Sequence, residues 1–156
     1  MKKVLFLCHG NICRSPMAEF VFKDYVEKMG TANKFFICSK ALHNDEIGSP
    51  VHYGTARILD RLNVDYSKKR AEKVYATHYA DFDYIIGMDE YNRRDMNRLF
   101  SGDKDGKCSL LLEFAGENRS VADPWYTGDF ETTYRDVVYG IKGFYDYLIK
   151  QGKITQ

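Results

Sequence analysis

What this chain has little of narrows its reading first. Its charges nearly cancel, with 23 Lys and Arg against 22 Asp and Glu, leaving a formal +1. No global field therefore draws it toward nucleic acid or an anionic membrane, and any anion it binds must be met locally. No stretch approaches the ~20 apolar residues of a membrane span. The apolar start Val4-Leu5-Phe6-Leu7 stops at Cys8-His9-Gly10, short of the roughly 7–15 residues of a signal core. Bulky Leu7 before Cys8 disfavours a lipoprotein-type cysteine, so the expected address is the cytoplasm. There are three prolines and no repeats, low-complexity tracts or Pro/Gly-rich linkers, so residues 1–156 read as one domain. Four cysteines without a Cys-x-x-Cys pair, and histidines scattered at 9, 43, 52 and 78, make a poor metal site. Free thiols are the expected state, and no metal or cofactor is expected.

What is there alternates between short apolar runs and helical periods. Val4–Leu7, Phe35–Cys38, Tyr84–Met88 and Leu110–Leu112 read as strands. The first is followed by a loop and by a helix opening at Ser15-Pro16, a cap residue and a first-turn proline. Ala18, Val21, Phe22, Tyr25, Val26 and Met29 share one face of that helix, and Gly30 ends it. Further helices are expected near Val51–Leu62, Glu90–Leu99 and Glu131–Lys150. The last carries Tyr134, Val137, Val138, Ile141, Tyr145 and Leu148 inward. Alternation of this kind predicts an α/β fold, a central four-stranded parallel sheet with helices on both faces in three layers. Ligands in such sheets bind beyond the carboxyl ends of the strands.

The loop after the first strand lies at such an end. Cys8 and Arg14, six positions apart, are weak by themselves. Between them stand Gly10 and Asn11, residue types that tolerate a left-handed backbone, and a helix follows directly. A backbone curled this way turns successive N–H groups inward as a nest for an anion, and the helix start adds its partial positive charge. Arg14 can grip two phosphate oxygens. Helix starts and cationic neighbours favour thiolate over thiol, which predicts Cys8 as a nucleophile aimed at phosphorus. Ser15 is placed to hydrogen-bond that sulfur.

Attack by Cys8 expels an oxyanion unless something protonates it. Asp123, in Val121-Ala122-Asp123-Pro124-Trp125-Tyr126, can be that acid or a turn-forming Asp-Pro; the proline restricts it to extended conformations either way. Two large aromatics in a polar loop, Trp125 and Tyr126, suit walls gripping a ring.

The run Cys8-His9-Gly10-Asn11-Ile12-Cys13-Arg14-Ser15-Pro16 resembles the phosphate-binding loop of the low-molecular-weight protein tyrosine phosphatases. Glu46-Ile47-Gly48, Asp83-Tyr84-Ile85-Ile86-Gly87-Met88-Asp89 and Asp123-Pro124-Trp125 recur in that family's order. The resemblance implies a hydrolase that acts on phosphotyrosyl proteins or peptides through a phosphocysteine and releases inorganic phosphate. It implies Cys8, Arg14 and Asp123 as catalytic residues, with Asp123 first the acid and then the activator of water. Residues 9–13 and Ser15 would bind the phosphate, and Asn11 and Ser39 would support the loop. Cys13 would form a reversible disulfide with Cys8. Two departures stand out. Asp45 and Glu46 align where some members carry an aromatic wall, suggesting preference for basic flanks, and Lys69 stands near a position where a histidine is usual.

Rival readings keep the fold and change the chemistry. Protein arginine phosphatases tend to have threonine after the loop asparagine; this chain has Ile12, better suited to a phenyl ring. A thioredoxin-coupled arsenate reductase needs a downstream pair of redox cysteines, and only lone Cys38 and Cys108 are available. A non-catalytic phosphate-binding module would be expected to lack the nucleophile or the acid, and this chain has both.

Overall fold

The apolar run Val4–Leu7 lies inside strand β1 (Lys2–Cys8) of a computed structural model that describes residues 1–155. Strands β2 (Phe35–Ala41), β3 (Tyr84–Gly87) and β4 (Cys108–Leu110) join it in one parallel sheet of order β2-β1-β3-β4. Helices α1 (Arg14–Lys28), α2 (Tyr53–Arg61), α3 (Glu90–Leu99), α4 (Pro124–Thr127) and α5 (Phe130–Lys150) complete the chain.

A central strand must be apolar on both sides, and β1 is. Its alternation sends Val4, Phe6 and Cys8 into a core shared with α1 and α5. Leu5 and Leu7 face a second core with Met96 and Phe100, at α3 and its end. Each such side chain, fully buried, contributes about 1.5–3 kcal/mol as an upper bound. The expected three layers are thus formed by a single period-2 strand feeding two cores. The chain leaves β1 for β2 on one side and reaches β3 on the other, so the carboxyl ends of β1 and β3 part. The loop after Cys8 opens into that gap. None of the described helices is long and apolar enough to cross a membrane.

Several boundaries differ from those the sequence predicts. α1 begins at Arg14, with Cys13 in the cap position and no side-chain cap, so Ser15 is inside the helix. Gly10 takes no positive φ; Asn11 does, at 60°. Met29 is exposed because it already lies past the end of α1, where Gly30 turns the chain at φ 75°. β2 runs on to Ala41 because the segment after residue 71 pairs with it, Val74 N donating to Ala41 O at 2.9 Å. Leu111 and Leu112 leave the sheet for a 3₁₀ turn (Leu111–Ala115), held by Leu110 N donating to Glu113 Oε1 at 2.8 Å.

That turn packs against α5 at two glycines. A Cβ on Gly140 would fall 2.4 Å from Leu111 Cγ, and one on Gly143 would fall 2.6 Å from the backbone oxygen of Phe114. Backbone cannot step aside as a side-chain tip can. Gly143→Ala is therefore expected to lower stability by about 1–3 kcal/mol, against the helix-propensity gain of up to about 1 kcal/mol. Thermal unfolding beside Lys142→Ala, an exposed neighbour, checks this; a raised Tm for Gly143→Ala contradicts the packing.

Candidate active site

The loop from Cys8 to Ser15 is built around the sulfur. The first N–H groups of a helix have no partner of their own, and α1 lacks a side-chain cap. Ser15 N instead points at Cys8 Sγ, 3.4 Å away, and Ser15 Oγ lies 3.0 Å from the same atom.

The direction of the hydroxyl bond follows from its neighbours. Asn11 Oδ1 accepts from Glu72 N at 3.2 Å, which leaves Nδ2 as the donor to Ser15 Oγ at 2.8 Å and to Ser39 Oγ at 2.9 Å. Ser15 oxygen thus already accepts, and its own hydrogen is free for the sulfur. Ser39 in turn donates to Glu19 Oε1 at 2.6 Å. Glu19 is buried at the foot of the network, with Lys23 at 2.6 Å and Lys69 at 3.8 Å. Lys69 also donates to Ser39 O at 2.8 Å. Burial pulls its ammonium below the usual lysine range, while Glu19 opposes the shift. Lys69 thus serves both the buried carboxylate and the β2 backbone.

Arg14 is buried with its guanidinium fixed on three sides. Nη1 donates to Val121 O at 3.1 Å, and Nη2 reaches Asp89 Oδ2 at 2.8 Å and Asp123 Oδ2 at 3.3 Å. Burial alone would lower its pKa, but the charges of Cys8, Asp123 and Asp89 outweigh it and raise the pKa. Asp123 is extended (φ −92°, ψ 109°), as Pro124 requires, and caps α4 by accepting from Trp125 N at 3.0 Å. The stretch before it is pinned: Val121 N donates to Met88 O at 3.0 Å, Ala122 N to Asp136 Oδ2 at 2.9 Å, and Thr133 Oγ1 to Ala122 O at 2.8 Å. Trp125 and Tyr126 follow, 67% and 85% exposed, so neither is core.

On the opposite side, toward β2, His9 Nε2 lies 2.6 Å from Asp45 Oδ2, a bond that holds the Asp45 carboxyl below its usual range. Glu46 Cγ covers Gly10, 3.4 Å from where a Cβ would stand. Ile12 O accepts from His52 N at 2.9 Å, tying the loop to the start of α2. Cys13 is buried, and that burial, with Cys8 and Asp123 adding, pushes its thiol up to about 12. Cys38 and Cys108 lie on the two outer strands with β1 and β3 between them, an arrangement that does not supply a redox pair.

The profile described as "Low molecular weight phosphotyrosine protein phosphatase" matches residues 3–153. The chain belongs to that family. Low molecular weight protein-tyrosine-phosphatase YfkJ of Bacillus subtilis is 38% identical over 133 residues, spanning 84% of this chain and 85% of that protein. Its crystal structure superposes with a TM-score of 0.92 at 35% identity, covering 97% and 96% of the two chains. PtpA of Staphylococcus aureus, another such phosphatase, is 34% identical across 100% of this chain and 99% of its own. A crystal structure of the low molecular weight protein tyrosine phosphatase SP-PTP from Streptococcus pyogenes gives a TM-score of 0.82 at 42% identity, covering 96% and 93%.

Sequence reasoning about this phosphatase missed three residues that hold the site. Asp89 reaches Arg14, Glu19 anchors Ser39, and Asp136 pins Ala122. Only Asp89 carried a usable signal: an aspartate three residues before Asn92, at a strand end, is a cap pattern. The pair forms a reciprocal cap, with Asn92 N donating to Asp89 Oδ1 at 2.8 Å and Asp89 N to Asn92 Oδ1 at 3.2 Å. Removing the Asp89 charge frees the guanidinium to turn. Asp89→Asn is expected to lower kcat/KM for an aryl phosphate about 10- to 100-fold with the fold intact by circular dichroism; an unchanged kcat/KM contradicts the role.

Proposed function

We propose that this chain is a phosphotyrosine phosphatase whose reaction runs through a phosphocysteine on Cys8. The reading rests most on one observation: Ser15 aims two donors at Cys8 Sγ while Arg14 and Asp123 meet beside it. In the first step the Cys8 thiolate attacks phosphorus and the P–O bond to the aryl group breaks. The bonding electrons leave with the phenolic oxygen, which takes a proton from the Asp123 carboxyl. In the second step Asp123, now a carboxylate, takes a proton from water as its oxygen attacks phosphorus. The S–P bond breaks, its electrons return to Cys8, and inorganic phosphate leaves. Ser15 stabilises the sulfur at both ends of this cycle.

The phosphate oxygens are held by Arg14 and by the backbone N–H groups of His9, Gly10, Asn11, Ile12, Cys13 and Arg14. An arginine already fixed by two carboxylates and a carbonyl does not need to be ordered when substrate binds. Its 3.3 Å contact with Asp123 is the longest of the three and is the one proposed to yield, releasing Asp123 toward the leaving group. Ile12, Trp125 and Tyr126 line the ring's path, and Asp45 and Glu46 favour basic residues beside the phosphotyrosine. Cys13 is proposed as the thiol that closes a disulfide with Cys8 when a peroxide takes two electrons and two protons from the pair, its O–O bond breaking to give two waters, or an alcohol and a water. Four free cysteines suit a reducing compartment, so the proposed substrates are cytoplasmic phosphotyrosyl proteins, and the domain is taken as residues 1–156.

The test is aryl phosphate and phosphotyrosine hydrolysis in chelator by the wild type, Cys8→Ser and Asp123→Ala. Cys8→Ser is expected at background. Asp123→Ala should lose about 10²–10⁴ in kcat with KM little changed. Full activity in Cys8→Ser, or faster turnover of phosphoarginine than of phosphotyrosine by the wild type, overturns the reading.

A further inference from the structure

His43 has no part in the chemistry above, yet it is built into the mouth of the site. Its ring stacks on that of His9, with centroids 4.0 Å apart and 18° between planes. Each ring ends on a carboxylate: His9 on Asp45 at 2.6 Å, and His43 Nε2 on Asp95 Oδ2 of α3 at 2.7 Å. The backbone fixes the pair, because Leu42 N donates to Cys8 O at 2.9 Å and His43 N to His9 O at 3.0 Å. The stack therefore begins one residue from the nucleophile and cannot drift away from it. Glu46, lying over Gly10, adds a third carboxylate. Beyond His43 a surface cavity of about 360 Å³ brings in two cations, Lys73 and Arg98.

Histidine is the side-chain type whose ordinary charge change falls between pH 5 and 8. With both rings protonated, Asp45, Asp95 and Glu46 leave the wall with one net negative charge; with both neutral they leave three. Lys73 and Arg98 offset part of that at every pH and leave the swing of two charges intact. Two stacked imidazoliums would repel, but each has its own carboxylate as counter-charge, so both protonated and neutral stacks are compatible with the same geometry.

We propose that the His9–His43 stack sets the charge that the mouth shows to residues flanking the phosphotyrosine, so that preference for basic over acidic flanks strengthens as the rings lose their protons. The inference rests on the phosphotyrosine reading and goes beyond it by making specificity, rather than turnover, depend on a group outside the reaction. Charges about a peptide residue apart through water change binding modestly. The two together are expected to move the ratio of kcat/KM values about three- to tenfold, less at high salt.

The experiment compares two phosphotyrosyl peptides that differ only in flanking Lys or flanking Glu, from about pH 5.5 to about pH 8 at low ionic strength. The ionisation of each peptide's phosphate is the same whichever enzyme is used, so it cancels when the wild-type ratio is divided by that of a variant. The Lys-over-Glu ratio should rise about three- to tenfold across the range in the wild type. The rise should shrink in His43→Phe, which keeps a stacked ring that does not titrate, and vanish in His9→Gln/His43→Phe. Histidine ring NMR should show both rings titrating within the range. A flat wild-type ratio with both peptides hydrolysed, a rise that survives in the double variant, or rings that do not titrate would each overturn the inference. Failure on both peptides with aryl phosphate still turned over would overturn the phosphotyrosine reading itself, and the inference with it.

Discussion

The first N–H groups of a helix have to be satisfied by something, and in α1 a thiol sulfur takes a share of that role. Cys8 ends the central strand, and Ser15 N in the first turn of α1 points back at its Sγ. The strand end and the helix start are thereby clasped across a loop of five residues, 9–13. Arg14 begins the helix and is buried by the same turn. The sulfur, the guanidinium and the helix start share one origin in the chain, so none can be moved without the others.

Holding that loop open has a structural cost that the surroundings meet. Asn11 sits at φ 60°, which an amide side chain tolerates better than most. Its three hydrogen bonds to Ser15, Ser39 and Glu72 fix it there. Glu19 below Ser39 is a buried carboxylate and would be unfavourable alone; Lys23 and Lys69 offset it. The same logic recurs at Arg14, where two carboxylates and a carbonyl hold one buried cation. No buried side-chain nitrogen or oxygen among the described residues lacks a hydrogen-bond partner. A site whose supporting side chains are already hydrogen-bonded is ordered before substrate arrives, and for phosphoryl transfer, where positioning dominates, that is an advantage.

The sequence made the layers legible because β1 and α5 carry strong periods, and it made the loop legible because Gly, Asn, Arg and Ser-Pro follow a strand. What it obscured has physical reasons. Ser15 reads as a cap, but Met17 N donates to Cys13 O at 3.1 Å, so the helix starts earlier and Ser15 turns its hydroxyl to Cys8. Leu111 and Leu112 read as strand because a buried turn and a buried strand are equally apolar; the glycines of α5 that make room for the turn lie some thirty residues away. Asp89, Glu19 and Asp136 act through contacts with residues 14 to 75 positions distant, and no local pattern encodes such pairs. The side of the site toward β2 carries paired histidines and carboxylates. Asp45 and Glu46 were visible as a departure, but the stacking of His9 on His43 was not, since it depends on the register between β1 and β2.

The mechanism requires Cys8 to carry the phosphoryl group. Asp123→Ala, mixed with an aryl phosphate and quenched in acid, slows departure from the intermediate and allows the protein to be digested and weighed. The predicted result is the added mass of one phosphoryl group on the peptide containing Cys8, assigned by fragmentation to the cysteine and absent when Cys8→Ser is combined with Asp123→Ala. A phosphoryl group found on His9 or any other residue, or its persistence in the combined variant, would contradict it.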